Sequence, residues 1–254
     1  MSSTLGVQQL GRQVTTGWSL TLYPDAAEAG GCFQYALRRR VVITGPAADP
    51  ERSRAEAARR ARATVRRYCA ANGLNRLGTL TYAGDGCHDP LVLRAHVADF
   101  FRRLRAALGG QPLPYLWTAE WHPGGHGLHV HFAVGRYVQH GLIRRTWGRG
   151  HVSIKLLGDL PVGSTKRDEA RVAARYLAKY VGKALDERRP AGLHRYERAQ
   201  GFTPQTVRLT GGRTADDVID QAVVLMGGAQ PVVRWSSADV LDWQAPPAVW
   251  VQWR

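Results

Sequence analysis

Apolar and polar residues along this chain follow a period of two in some stretches and a helical period in others. Leu77-Gly78-Thr79-Leu80-Thr81-Tyr82 alternates and is β-branched, which predicts a strand ending at Ala83-Gly84-Asp85-Gly86. Leu113 to Trp121 predicts another strand, Pro123-Gly124-Gly125 breaks it, and Gly127 to Gly135 returns as its neighbour. Two more strands are expected at Arg38-Arg39-Arg40-Val41-Val42-Ile43 and His151-Val152-Ser153-Ile154-Lys155. Helical spacing covers Glu51 to Ala71, which is rich in Ala and Arg and preceded by Pro50. It recurs after Asp89-Pro90, where Leu93, Val97, Phe100, Phe101, Leu104 and Leu108 form one apolar stripe. Gly141 to Trp147 suits a short helix. Thr165 and Asp168 resemble a capping box for a further helix that ends before Pro190.

Strands and helices mix without a strict βαβ repeat. The expected fold class is α+β, a central antiparallel β-sheet flanked by helices. Residues 1–50 read as an N-terminal extension, 51–190 as the catalytic domain, and 191–254 as a C-terminal extension with a Trp-containing end.

Charge adds a partner class. The chain carries 35 Lys and Arg against 20 Asp and Glu, a net +15, which favours polyanions and makes binding salt-dependent. Arg59, Arg62 and Arg66 fall near one helix face that could follow a phosphate backbone, although a solvated arginine face gives the same pattern. No apolar run approaches the length of a bilayer span and no secretion signal is visible, so the expected location is cytoplasmic, with no membrane partner. The three cysteines form neither a disulfide framework nor a zinc-ribbon pattern.

The candidate chemistry sits in two places. His129 and His131 leave the same face of one expected strand, and Glu120 lies on the matching face of the strand before it. A His-His-carboxylate set leaves positions open for water and a substrate oxygen. Its mixed donors suit Mn²⁺ or Mg²⁺ at a phosphate, with Zn²⁺ also compatible. His122 and His126 in the intervening loop are alternatives to Glu120 or candidate DNA contacts. Further on, Tyr176, Tyr180 and Lys183 occupy one helical stripe with Lys179 at its border. A phenol needs activation to act as a nucleophile near neutral pH, and nearby lysine charge favours the phenolate.

These residues together resemble the HUH endonucleases (His-hydrophobic-His), and among them rolling-circle replication initiators. Leu77 to Tyr82 is similar to their first motif, His129-Val130-His131 to the second, and Tyr176-Leu177-Ala178-Lys179 with Tyr180-Val181-Gly182-Lys183 to a doubled third. The doubled motif resembles initiators of isometric single-stranded DNA phages and some plasmids; His194 to Phe202 and the Ala/Arg-rich character look like actinobacterial plasmid initiators. The resemblance covers about residues 75–186. It implies a metal-dependent, site-specific nick of single-stranded or origin DNA, with Tyr176 attacking first and Tyr180 second. A 5′-phosphotyrosine and a primer 3′-OH would result, and the strand would later be rejoined. Glu120 would be the third ligand, although it precedes His129 by nine positions through a loop that holds two more histidines. No ATPase motif is present, so a host helicase and DNA polymerase are the expected bacterial partners. A relaxase or single-strand transposase could share the chemistry, and a non-catalytic DNA-binding regulator would share only the charge.

Overall fold

The computed structural model describes residues 16–35, 49–156, 160–183, 194 and 196–254. In chain order the strands and helices are β1 (Gly17–Tyr23), β2 (Glu28–Gln34), α1 (Pro50–Asn72), β3 (Arg76–Tyr82), α2 (Pro90–Ala107), β4 (Tyr115–Trp121) and β5 (Leu128–Val134). There follow α3 (His140–Trp147), β6 (Gly150–Leu156), α4 (Lys166–Lys183), β7 (Glu197–Arg198), β8 (Val207–Gly212), α5 (Ala215–Leu225), β9 (Val233–Ser236) and β10 (Ala248–Gln252). The strand expected at Arg38 to Ile43 lies outside the described residues. The fold is α+β, with two antiparallel five-stranded sheets flanked by helices. Among the described residues, no helix is long and apolar enough to cross a membrane.

The chain divides into two compact units. The larger contains α1 through β7 and is built on a sheet of order β6-β3-β5-β4-β7. Alternation along β3 decides what each face holds. Leu80 and Tyr82 join Phe100, Phe101 and Leu104 of α2 and Trp147 of α3 in one core cluster. Leu77 on the other face joins Val65 and Tyr68 of α1 and Leu177 and Val181 of α4 in a second. The sheet is therefore covered on both faces, and β5 at its centre is buried along its whole length. Two glycines are needed for this packing. A Cβ on Gly78 would collide with the ring of Phe132. Gly127, in the left-handed region at φ 76°, brings the chain against the backbone of Cys87 immediately before β5.

Helix α4 is tied down at its start. Thr165 and Asp168 exchange the bonds of a capping box, the Asp168 carboxylate accepting from the Thr165 amide at 2.9 Å and hydroxyl at 2.8 Å. Arg171, buried one turn later, donates to Asp168 at 3.2 Å and to the carbonyls of Ala26 and Ala27 at 3.1 and 3.2 Å. After α4 the chain returns to the same sheet. β7 pairs with β4, and Tyr68 and Asn72 of α1 donate to the carbonyls of Ala199 and Phe202.

The second unit is drawn from the two ends of the chain. Its sheet has the order β8-β1-β2-β10-β9, with α5 against β8. Thr214 and Asp217 form the capping box that starts α5.

Candidate functional site

The register of β4 and β5 builds the site. Glu120 lies directly opposite His129, and Thr118 opposite His131, on an antiparallel pair. Directly paired residues on one face stand about 5 Å apart at Cβ, so the carboxylate of Glu120 reaches both imidazoles. Its Oε2 is 3.3 Å from His129 Nε2 and 3.2 Å from His131 Nε2. Glu120 is half-buried, whereas His129 and His131 are only 8% and 6% exposed.

This donor set fits a divalent cation. The three ligand atoms all lie within 4.8 Å of one another. The two Nε2 atoms face each other at 3.0 Å, a spacing at which paired lone pairs repel unless a proton or a cation lies between them. Burial pushes the pKa of His129 below the ordinary imidazole value, against the opposing pull of Glu120, and so keeps that ring neutral as a ligand must be. The cluster is a candidate metal site, and Glu120, not a loop histidine, completes it among the described residues.

The loop histidines point elsewhere. His126 Nε2 is 3.2 Å from the carbonyl of Tyr82. His122 is exposed, accepts from the Gly124 amide at 3.1 Å, and its ring lies 5.7 Å from that of His129.

Helix α4 brings the tyrosines onto the metal face. The ring of Tyr180 stacks on His131, with centroids 3.9 Å apart and planes at 17°. Its hydroxyl donates to the Tyr176 oxygen at 2.8 Å, and Tyr176 stands edge-on to His131 at 6.0 Å. Burial raises the Tyr180 pKa well above that of a free phenol, and the bond to Tyr176 and the charge of Glu120 raise it further. Lys179 is exposed, with its ammonium 5.9 Å from the centre of the Tyr176 ring. The side chain of Lys183 lies outside the described residues.

Residues 75–185 match a family model of replication-associated proteins, the ORF2 type. The matched segment holds Glu120, His129, His131, Tyr176 and Tyr180, the residues that converge on the sheet. The likeness supports a part in replication initiation. No curated protein and no solved structure matches the chain.

On α1, Arg59 and Arg62 are exposed and Arg66 is half-buried. Sequence reasoning did not single out Thr79, whose Oγ1 lies 3.2 Å from His131 Nδ1. The signal was present in the alternation of Leu77 to Tyr82, which puts Thr79 on the face opposite Leu80.

Proposed function

We propose that this protein initiates rolling-circle replication by nicking one DNA strand at an origin through a tyrosine nucleophile. The observation that carries this reading is the convergence of a His-His-Glu cluster with two hydroxyl-linked tyrosines, one stacked on a cluster histidine. A structural tyrosine pair has no need of such neighbours.

Glu120, His129 and His131 would hold Mn²⁺ or Mg²⁺, which when bound supplies Lewis-acid polarisation of the scissile phosphate. Tyr176 is the first nucleophile. Its oxygen already accepts a hydrogen bond from Tyr180, and that bond strengthens as Tyr176 takes on negative charge. Lys179 and Lys183 add positive charge beside the forming phenolate. Attack forms the Tyr176 O–P bond and breaks the P–O3′ bond. The Tyr176 proton passes to solvent, and the departing 3′-oxygen takes one up as 3′-OH. The phosphotyrosine conserves the phosphodiester for rejoining, and Tyr180 then attacks a second junction. Single-stranded or origin DNA is the partner, with exposed Arg59 and Arg62 and half-buried Arg66 on its path and His122 and His126 flanking the cluster. A bacterial cytoplasmic setting with host helicase and polymerase completes the reading.

The test is incubation with labelled single strands tiled across the surrounding replicon, with Mn²⁺ or with EDTA, followed by a denaturing gel. A metal-dependent adduct lost in the Tyr176→Phe/Tyr180→Phe variant is the expected result. Tight binding with no adduct on any strand would replace this reading with a non-catalytic DNA binder.

A further inference from the structure

We infer that Thr79 is a positioning residue for the metal cluster: its hydroxyl holds the far nitrogen of His131, so that Nε2 stays aimed at Glu120 and free to bind the cation. This rests on the metal reading above and names a residue outside the ligand set.

The argument begins with register. Thr79 on β3 lies directly opposite His131 on β5, on the face that carries the cluster. The imidazole of His131 therefore bridges three strands. Nδ1 faces Thr79 of β3 at 3.2 Å, and Nε2 faces Glu120 of β4 at 3.2 Å. His131 is only 6% exposed, so water is a poor substitute for either partner. The two rings differ here. His129 Nδ1 is buried with no hydrogen-bond partner among the described residues, whereas His131 is gripped at both ends.

The choice of a hydroxyl has a chemical consequence. A threonine oxygen donates or accepts by rotating its proton, so it can serve either tautomer of the ring. When Nε2 carries the proton and donates to Glu120, Thr79 donates to Nδ1. When Nε2 gives its lone pair to a cation, the proton resides on Nδ1 and Thr79 accepts it. One side chain thus satisfies His131 before and after metal binding, and its β-branch restricts χ1 on the strand.

The test compares Thr79→Val, which keeps the shape and removes the hydroxyl, with Thr79→Ser, which restores it. Mn²⁺ affinity is read by calorimetry on the full chain stripped with EDTA. Thermal midpoints of the metal-free proteins control for folding. Thr79→Val is expected to weaken Mn²⁺ binding about 10–100-fold, with Thr79→Ser close to wild type. The metal-free midpoints of Val and Ser variants should agree. Wild-type affinity in Thr79→Val, with binding lost in His131→Ala, would overturn the role of Thr79 and leave the metal site standing. A weakened Thr79→Val matched by an equally weakened Thr79→Ser would assign the effect to packing and also overturn it. Mn²⁺ affinity unchanged even in His129→Ala/His131→Ala would instead remove the metal reading, and this inference with it.

Discussion

The two tyrosines are chemically alike in sequence and unlike in place. Tyr180 lies flat on His131 and spends its proton on Tyr176, and burial further resists its ionisation. Tyr176 receives that proton's hydrogen bond and keeps its own face turned edge-on to the cluster. Their replacements should therefore not be equivalent. Tyr176→Phe is expected to lower the rate of the first nick at least about 10³-fold, because it removes the nucleophile itself. Tyr180→Phe should still form the first adduct, more slowly, and should fail at release of the closed circle. Quench-flow measurement of adduct formation, scored separately from circle release, distinguishes the two steps. Equal first-nick rates for Tyr176→Phe and wild type would reverse the order.

At the scale of elements, a single glycine and a single cap decide whether the site is held. Gly78 is where β3 passes the ring of Phe132, so Gly78→Ala forces that ring or the strand to move. The expected cost is about 1–3 kcal/mol of stability, read as a lower denaturant midpoint. Asp168 caps the helix that carries both tyrosines. Burial alone would raise its carboxyl pKa, but the Thr165 bonds and the Arg171 charge outweigh it and hold the pKa below the ordinary value. Its contribution is therefore complete above the unfolded carboxyl pKa of about 3.9 and is lost as pH falls through the lower folded value. Asp168→Ala should cost about 1 kcal/mol at neutral pH and flatten that part of the acid limb in a pH series of urea melts.

These elements show what the sequence discloses and what it withholds. The strand pair β4–β5 and the cap at Thr165 follow from local alternation and local turn chemistry, so the facing of Glu120 and His129 was legible. The stacking of Tyr180 on His131 was not. It depends on how α4 lies across the sheet, which the long-range anchoring of Arg171 on Ala26 and Ala27 helps to set. The same limit hid Thr79, because its partner lies on a strand 52 positions away and no local pattern gives that register. It hid the second sheet too, where β1 pairs with β8 and β2 with β10 from opposite ends of the chain.

For the whole molecule, the question is how a net +15 chain acts on DNA without being held by charge alone. Each phosphate neutralised on a single strand releases counterion and contributes about −0.7 to the slope of log affinity against log salt. Arg59 and Arg62 stand exposed on α1, the helix that packs beside α4 in the same unit, and are therefore placed to meet a strand that reaches the tyrosines. If both contact phosphate, Arg59→Ala/Arg62→Ala should make the slope shallower by about 1.4, since two contacts are removed. The adduct yield at saturating DNA should stay at the wild-type level, because neither side chain belongs to the cluster or the tyrosine pair. Affinity measured by fluorescence anisotropy from low to moderate salt checks the first part, and a gel at saturating DNA checks the second. An unchanged slope would return these arginines to the solvated helix face that their spacing equally describes. A reduced adduct yield at saturation would instead mean that α1 orients the scissile phosphate as well as attracting the strand.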